Sequence, residues 1–205
     1  MLDFLAACIQ LDPYAIIKAG GYLGITAIVF AESGLLIGIF LPGDSLLFVA
    51  GLLAAAGFLQ IGPLILLIVA AAIVGDSVGY WFGANVGVRL FDRKDSRFFK
   101  KAYLRRTELF YEKYGARAVI LARFVPIVRT LAPILAGIGG MPYRRFLSFN
   151  IVGGVAWGFG VTALGYSLGS VFPEIEAYVL PISLLIILVS FLPIFTNILR
   201  GRRAV

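Results

Sequence analysis

Four ionisable side chains stand in stretches where a charge is costly. Glu32 and Asp44 lie in the apolar run from Tyr22 to Leu59, and Arg123 and Arg129 in the run from Ala118 to Met141. Pro42-Gly43 interrupts the first run, and Pro126 and Pro133 interrupt the second. Each run therefore carries two charges of one sign. An ionised side chain at a bilayer centre costs roughly 2.5 to 3.5 kcal/mol on insertion scales, so four unpaired ones would cost on the order of 10 kcal/mol. Glu32 and Asp44 are expected to meet Arg123 and Arg129. On an unbroken helix positions 123 and 129 point about 120° apart, but Pro126 lies midway and can turn both toward one cavity. A static lattice, in which the acids only neutralise the arginines, stays open beside a functional role.

The functional reading divides the roles by sign. Arginine stays charged and presents a planar fork of donors, which suits a phosphate oxyanion. Helix N-termini at the breaks add free N–H groups and a positive dipole end. Arg123 and Arg129 are thus the expected phosphate ligands. Desolvation disfavours an ionised carboxylate, so Glu32 and Asp44 are read as proton-exchanging groups. Asp76 and Asn150, polar groups in the spans that follow, either line the same cavity or bond a neighbouring helix.

Other chemistries lose their residues. The chain has no histidine, which removes His-ligated metal sites, Ser-His-Asp hydrolysis and His-dependent lipid phosphatases. Cys8 is alone, so an intrachain disulfide and a Cys-cluster metal site are excluded. No Asp-rich metal motif is present. The expectation is a protein without metal, cofactor or enzymatic activity.

The elements that must hold these groups are membrane helices. The sequence is 60% hydrophobic, with a mean hydropathy of +0.97, well above the roughly 45 to 50% apolar usage of ordinary globular domains. Leu64–Val88, Phe146–Ser170 and Val179–Leu199 each exceed the roughly 18 to 20 residues that cross about 30 Å of hydrocarbon. Asp3 stands where a cleavable signal would carry Lys or Arg, so no secretory signal is expected.

Ten Lys or Arg and four Asp or Glu lie between Arg89 and Arg117. In a soluble chain that patch would point to nucleic acid. Between membrane segments it reads as cytoplasmic, either as a basic amphipathic helix on an anionic leaflet or as a loop that only sets topology. Arg200, Arg202 and Arg203 place the C-terminus on the same side, with Glu174 and Glu176 outside. Counting sides then makes residues 118–141 a re-entrant hairpin entered from the cytoplasm, and residues 22–59 one entered from outside. The expected order is an N-terminal segment (1–21), hairpin (22–59), span (64–88), basic segment (89–117), hairpin (118–141), span (146–170) and C-terminal span (179–199), in one membrane domain.

An internal match fits two inverted repeats, each a re-entrant hairpin followed by a transmembrane helix. Gly51 precedes Gly79-Tyr80 by 28 positions, and Gly137 precedes Gly165-Tyr166 by the same 28, an offset of 86 throughout. Inverted repeats with broken helices are an architecture of secondary transporters.

Glu32, the Phe-Leu-Pro-Gly-Asp stretch ending at Asp44, Gly75-Asp76, Gly79-Tyr80, Arg123-Phe-Val-Pro-Ile-Val-Arg129, Pro133, Ala136-Gly137, Met141, Phe146, Asn150 and Trp157 together resemble the DedA family of bacterial inner-membrane proteins. The resemblance runs from about Tyr22 to Gly169. It implies two opposed re-entrant hairpins and a role in lipid traffic, because members are similar to transporters of undecaprenyl phosphate. Others are linked to phosphatidylethanolamine movement or to proton-dependent drug tolerance. It also implies that Glu32, Asp44, Arg123 and Arg129 match the family's functional residues.

The expected protein is thus a proton-coupled flippase of the bacterial cytoplasmic membrane. Its expected partners are a lipid phosphate, protons and the bilayer, with no nucleic acid and with homo-oligomerisation left open. A proton-dependent exporter of small ions or drugs and a non-transporting assembly factor are the alternatives.

Overall fold

A computed structural model describes residues 13–35, 43–87, 117–123 and 126–172. Pro42, Cys8, most of the basic segment 89–117, Glu174 and the apolar stretch 179–199 lie outside the described residues. All described elements are helical: α1 (Pro13–Gly34), α2 (Gly43–Ala55), α3 (Ile61–Phe82), a π-helical turn (Gly83–Gly87) that continues α3, α4 (Arg117–Ala122), α5 (Pro126–Ile138) and α6 (Tyr143–Val171). In the apolar setting that the composition implies, a helix satisfies its own backbone N–H and C=O groups, so no sheet partner is needed.

Three helices are long and apolar enough to cross a membrane, over Tyr14–Gly34, Ile61–Val86 and Tyr143–Val171. At a rise of about 1.5 Å per residue, even the shortest spans about 30 Å. Leu66, Trp81, Val152, Phe159 and Leu164 are exposed large apolar side chains along α3 and α6, as lipid-facing helix surfaces require. The shorter apolar helices are α2 and the segment Val128–Ile138 of α5.

Prolines and glycines set the local breaks. Gly21 interrupts α1 with φ 51° and ψ −144°, a conformation that a residue with a Cβ rarely adopts. Gly43 opens α2, and Pro126 opens α5, where its missing N–H is one of the donors that a helix start leaves unbonded. Pro133 lies inside α5, which runs on through it. Helix α4 ends at Ala122 and α5 begins at Pro126.

The chain divides into two compact units. The first takes the described parts of Met1–Ile25, Pro42–Leu64 and Val161–Val205, and the second those of Thr26–Leu41 and Ile65–Gly160. In the first unit, α2 is buried continuously from Ser45 to Ala54. It touches the C-terminal part of α6 backbone to backbone: a methyl group added at Gly51 would lie 2.2 Å from the Thr162 carbonyl oxygen, and one at Gly165 would lie 2.2 Å from that of Phe48.

The second unit holds two such crossings. A methyl group at Gly34 would lie 2.7 Å from the Gly75 carbonyl oxygen, so α1 and α3 meet there; one at Gly137 would lie 2.2 Å from the Tyr80 carbonyl oxygen, so α5 meets the end of α3. Val119, Ala136, Met141 and Phe146 form a buried cluster beside them. Tyr80 stacks on Phe146 at 4.7 Å between ring centroids and donates its hydroxyl to the Met141 carbonyl oxygen.

Candidate functional site

The α1–α3 crossing fixes where the acids of the second unit stand. Glu32 lies two residues before Gly34, and Asp76 directly follows Gly75. Both are buried, at 1% and 3% exposure. The arginines come from the interrupted segment that faces them. Arg123 closes the last turn of α4, its N–H bonded to the Ile120 carbonyl oxygen at 3.2 Å, and Arg129 lies in the first turns of α5.

Two buried ion pairs result. A terminal guanidinium nitrogen of Arg129 donates to Oε1 of Glu32. A terminal nitrogen of Arg123 donates to Oδ2 of Asp76 and to Oδ1 of Asn150, with the Ala72 carbonyl oxygen at 3.5 Å. Asn150 is fully buried, and its amide nitrogen donates to the Ile73 carbonyl oxygen at 3.0 Å. That bond orients the amide so that its oxygen faces Arg123.

The expectation that buried acids and arginines meet is realised by Glu32 with Arg129. Arg123 meets Asp76, and Asn150 bonds both Arg123 and the Ile73 carbonyl oxygen. Asp44 is half-buried in the first turn of α2, in the first unit. There its carboxylate suits the positive end of the helix dipole.

Helix α6 supplies more than the sequence reading assigned to it. Asn150, Gly153, Gly154 and Trp157 follow the i, i+3, i+4, i+7 spacing of one helix face. A methyl group at Gly153 would lie 2.9 Å from Cδ of Arg123, and one at Gly154 would lie 3.6 Å from its terminal nitrogen. The two glycines thus form a bed across which the Arg123 side chain lies. One turn further on, Trp157, 2% exposed, holds its ring 5.0 Å from the guanidinium carbon of Arg129, a cation–π distance. That spacing from Asn150 was the signal that could have found Trp157 and the glycine pair as site residues.

The two arginines end up differently bound. Arg123 donates to a carboxylate and an amide and lies across a glycine bed, whereas the contacts of Arg129 include a Glu32 carboxylate oxygen and the Trp157 ring face. Oε2 of Glu32 and Oγ1 of Thr130, next to Arg129 in sequence, are buried without a hydrogen-bond partner among the described residues. Buried polar atoms of that kind are uncommon. They give this arginine's neighbourhood unspent capacity, an acceptor on Glu32 and a hydroxyl on Thr130. No group of three or more His, Cys, Asp or Glu among the described residues could hold a metal ion.

A family profile described as the VTT domain matches residues 41–167. The chain is 48% identical over 202 residues to an uncharacterized membrane protein of Mycobacterium tuberculosis, covering 95% of this chain and 88% of the relative. It is 45% identical over 179 residues to protein DedA of Escherichia coli, covering 86% and 81%. It is 36% identical over 200 residues to the inner membrane protein YghB of the same species, covering 89% of each. No solved structure matches.

Proposed function

The chain belongs to the DedA family of VTT-domain membrane proteins, and from that premise we propose that it moves a lipid phosphate across the bacterial inner membrane in exchange with protons. It is a multi-pass membrane protein. The cargo is undecaprenyl phosphate, a related polyprenyl phosphate or a phospholipid. The observation that carries this reading is the buried Glu32–Arg129 pair, with a carboxylate on a helix of membrane-spanning length and a guanidinium from a segment broken beside it.

In the proposed cycle, a proton on Glu32 weakens its hold on Arg129. The freed guanidinium fork then takes the phosphate, with the Trp157 ring face keeping the fork oriented. Loss of the proton restores the internal pair and expels the anion. Oε2 of Glu32 is the oxygen that receives the proton, and the Thr130 hydroxyl is a further donor to the phosphate. Arg123 keeps α3, α4 and α6 in register around this exchange and meets phosphate second. Asp44 is proposed as the proton-exchanging group of the first unit. The two broken segments are proposed as inverted re-entrant hairpins.

The test is lipid-phosphate translocation in liposomes, with and without an imposed pH difference. Glu32→Gln mimics the protonated acid in nearly the same shape. It should still bind lipid phosphate and lose its response to the gradient. Wild-type transport that ignores the gradient would refute coupling and leave a passive scramblase.

One observation favours a second reading, the non-transporting assembly factor. Each buried arginine already has a carboxylate, as a static lattice requires. On that reading the double variant Glu32→Gln with Arg129→Gln, which removes both charges together, keeps its cellular function.

A further inference from the structure

The first unit contains a cavity of about 180 Å³, lined by Tyr14, Lys18, Gly21, Leu53, Phe58 and Leu59 among others. Its residues are distinct from those of the ion pairs. Gly21, where α1 breaks, is one of the residues that line it. Before the break, α1 buries Ile16 and Ile17 and exposes Lys18 and Ala19. After it, the Tyr22 hydroxyl accepts the backbone N–H of Gln60 at 2.6 Å. That bond holds the break level with the turn between α2 and α3, where Gln60 is exposed.

A turn with exposed polar backbone between two apolar helices belongs at the membrane–water boundary. Tyr14 and Tyr22 supply the amphipathic aromatic side chains usual at that depth. The cavity is also polarised. Lys18 stands at one side with its ammonium 5.2 Å from the Tyr14 ring centroid, while Leu53, Phe58 and Leu59 form an uncharged wall.

We infer that this cavity seats one anionic phospholipid, with its phosphate against Lys18 and the start of an acyl chain against Leu53, Phe58 and Leu59. Charge complementarity selects the occupant. A free phosphate would leave the apolar wall unused, and a zwitterionic lipid would bring no net charge to the lysine. The inference does not depend on the transport cycle.

The experiment is native mass spectrometry of the full chain in detergent, titrated separately with phosphatidylglycerol and phosphatidylcholine. Wild type should retain phosphatidylglycerol in preference. Lys18→Gln should lower that retention about fivefold, the contribution of one lysine near an anionic surface, and Lys18→Arg should keep it. Phe58→Ser, at an exposed wall position, should weaken retention of both lipids, and inorganic phosphate should not displace the bound lipid. Equal retention of the two lipids by wild type, unchanged retention in Lys18→Gln or in Phe58→Ser, or displacement by inorganic phosphate would each overturn the assignment.

Discussion

Arg123 and Arg129 are six residues apart and chemically alike, yet their surroundings give them different tasks. Arg123 donates to Asp76 and Asn150 and lies on Gly153 and Gly154; Arg129 donates to Glu32 and faces Trp157. Arg129→Lys keeps the charge and loses both the planar fork and the flat stacking surface. Translocation in liposomes should fall roughly tenfold, the scale of one lost charge-assisted hydrogen bond, while the melting temperature in detergent changes little. Arg123→Lys should reverse that pattern, lowering the melting temperature because a single ammonium holds the carboxylate and the amide less well, with a smaller effect on lipid-phosphate affinity. Equal losses of transport in both variants would make the two arginines one clamp. Removing a partner outright is less informative, since an uncompensated buried charge costs about 3 to 5 kcal/mol wherever it sits.

The elements owe their register to small residues at crossings. A methyl group at Gly34 would meet the Gly75 carbonyl oxygen at 2.7 Å, a backbone atom that cannot swing aside, whereas Gly160 on α6 has nothing within 4 Å. Gly34→Ala should therefore destabilise the protein by about 1 to 3 kcal/mol through overpacking. Gly160→Ala should stabilise it by about 0.5 to 1 kcal/mol, because an exposed helical glycine gives up more chain entropy than alanine. Thermal unfolding of the two variants in one detergent reads both signs at once. The same crossings explain what the sequence could and could not reveal. Apolar length was enough to expect spans at 64–88 and 146–170, where membrane-length helices run over Ile61–Val86 and Tyr143–Val171, and the cost of buried charge was enough to expect acids against arginines. Which acid meets which arginine depends on how α1 and α3 cross at Gly34 and Gly75, 41 positions apart in the chain, and no local period encodes that. The helical spacing from Asn150 could place Trp157 on the site-facing side of its helix, but not against Arg129, which sits on another helix.

At the scale of the whole chain, the two units are built in a comparable way. In one, α2 packs on the end of α6 through Gly51 against Thr162 and Tyr166; in the other, α5 packs on the end of α3 through Gly137 against Tyr80 and Ala84. Gly51 and Gly137 are the glycines that the 86-residue offset relates. Thr162 and Tyr166 lie one helical turn short of the positions that the same offset would pair with Tyr80 and Ala84. Each unit thus joins the short helix of one half of the sequence to the long helix of the other, which supports the proposed pair of inverted repeats. Inversion makes a prediction about sidedness that a direct repeat does not share. Two halves of opposite orientation need an odd number of crossings between corresponding points, so the segment that links them and the chain end after the last span must fall on one side. The lysine and arginine bias names that side as the cytoplasm. Single cysteines placed at Arg97 and at Arg202, in a background with Cys8 replaced, should therefore resist a membrane-impermeant maleimide in intact cells and react after permeabilisation, while a cysteine at Glu174 should react in intact cells. Labelling of Arg97 from outside while Arg202 stays protected would break the inversion, because residues 118–141 would then have to cross the bilayer instead of re-entering it.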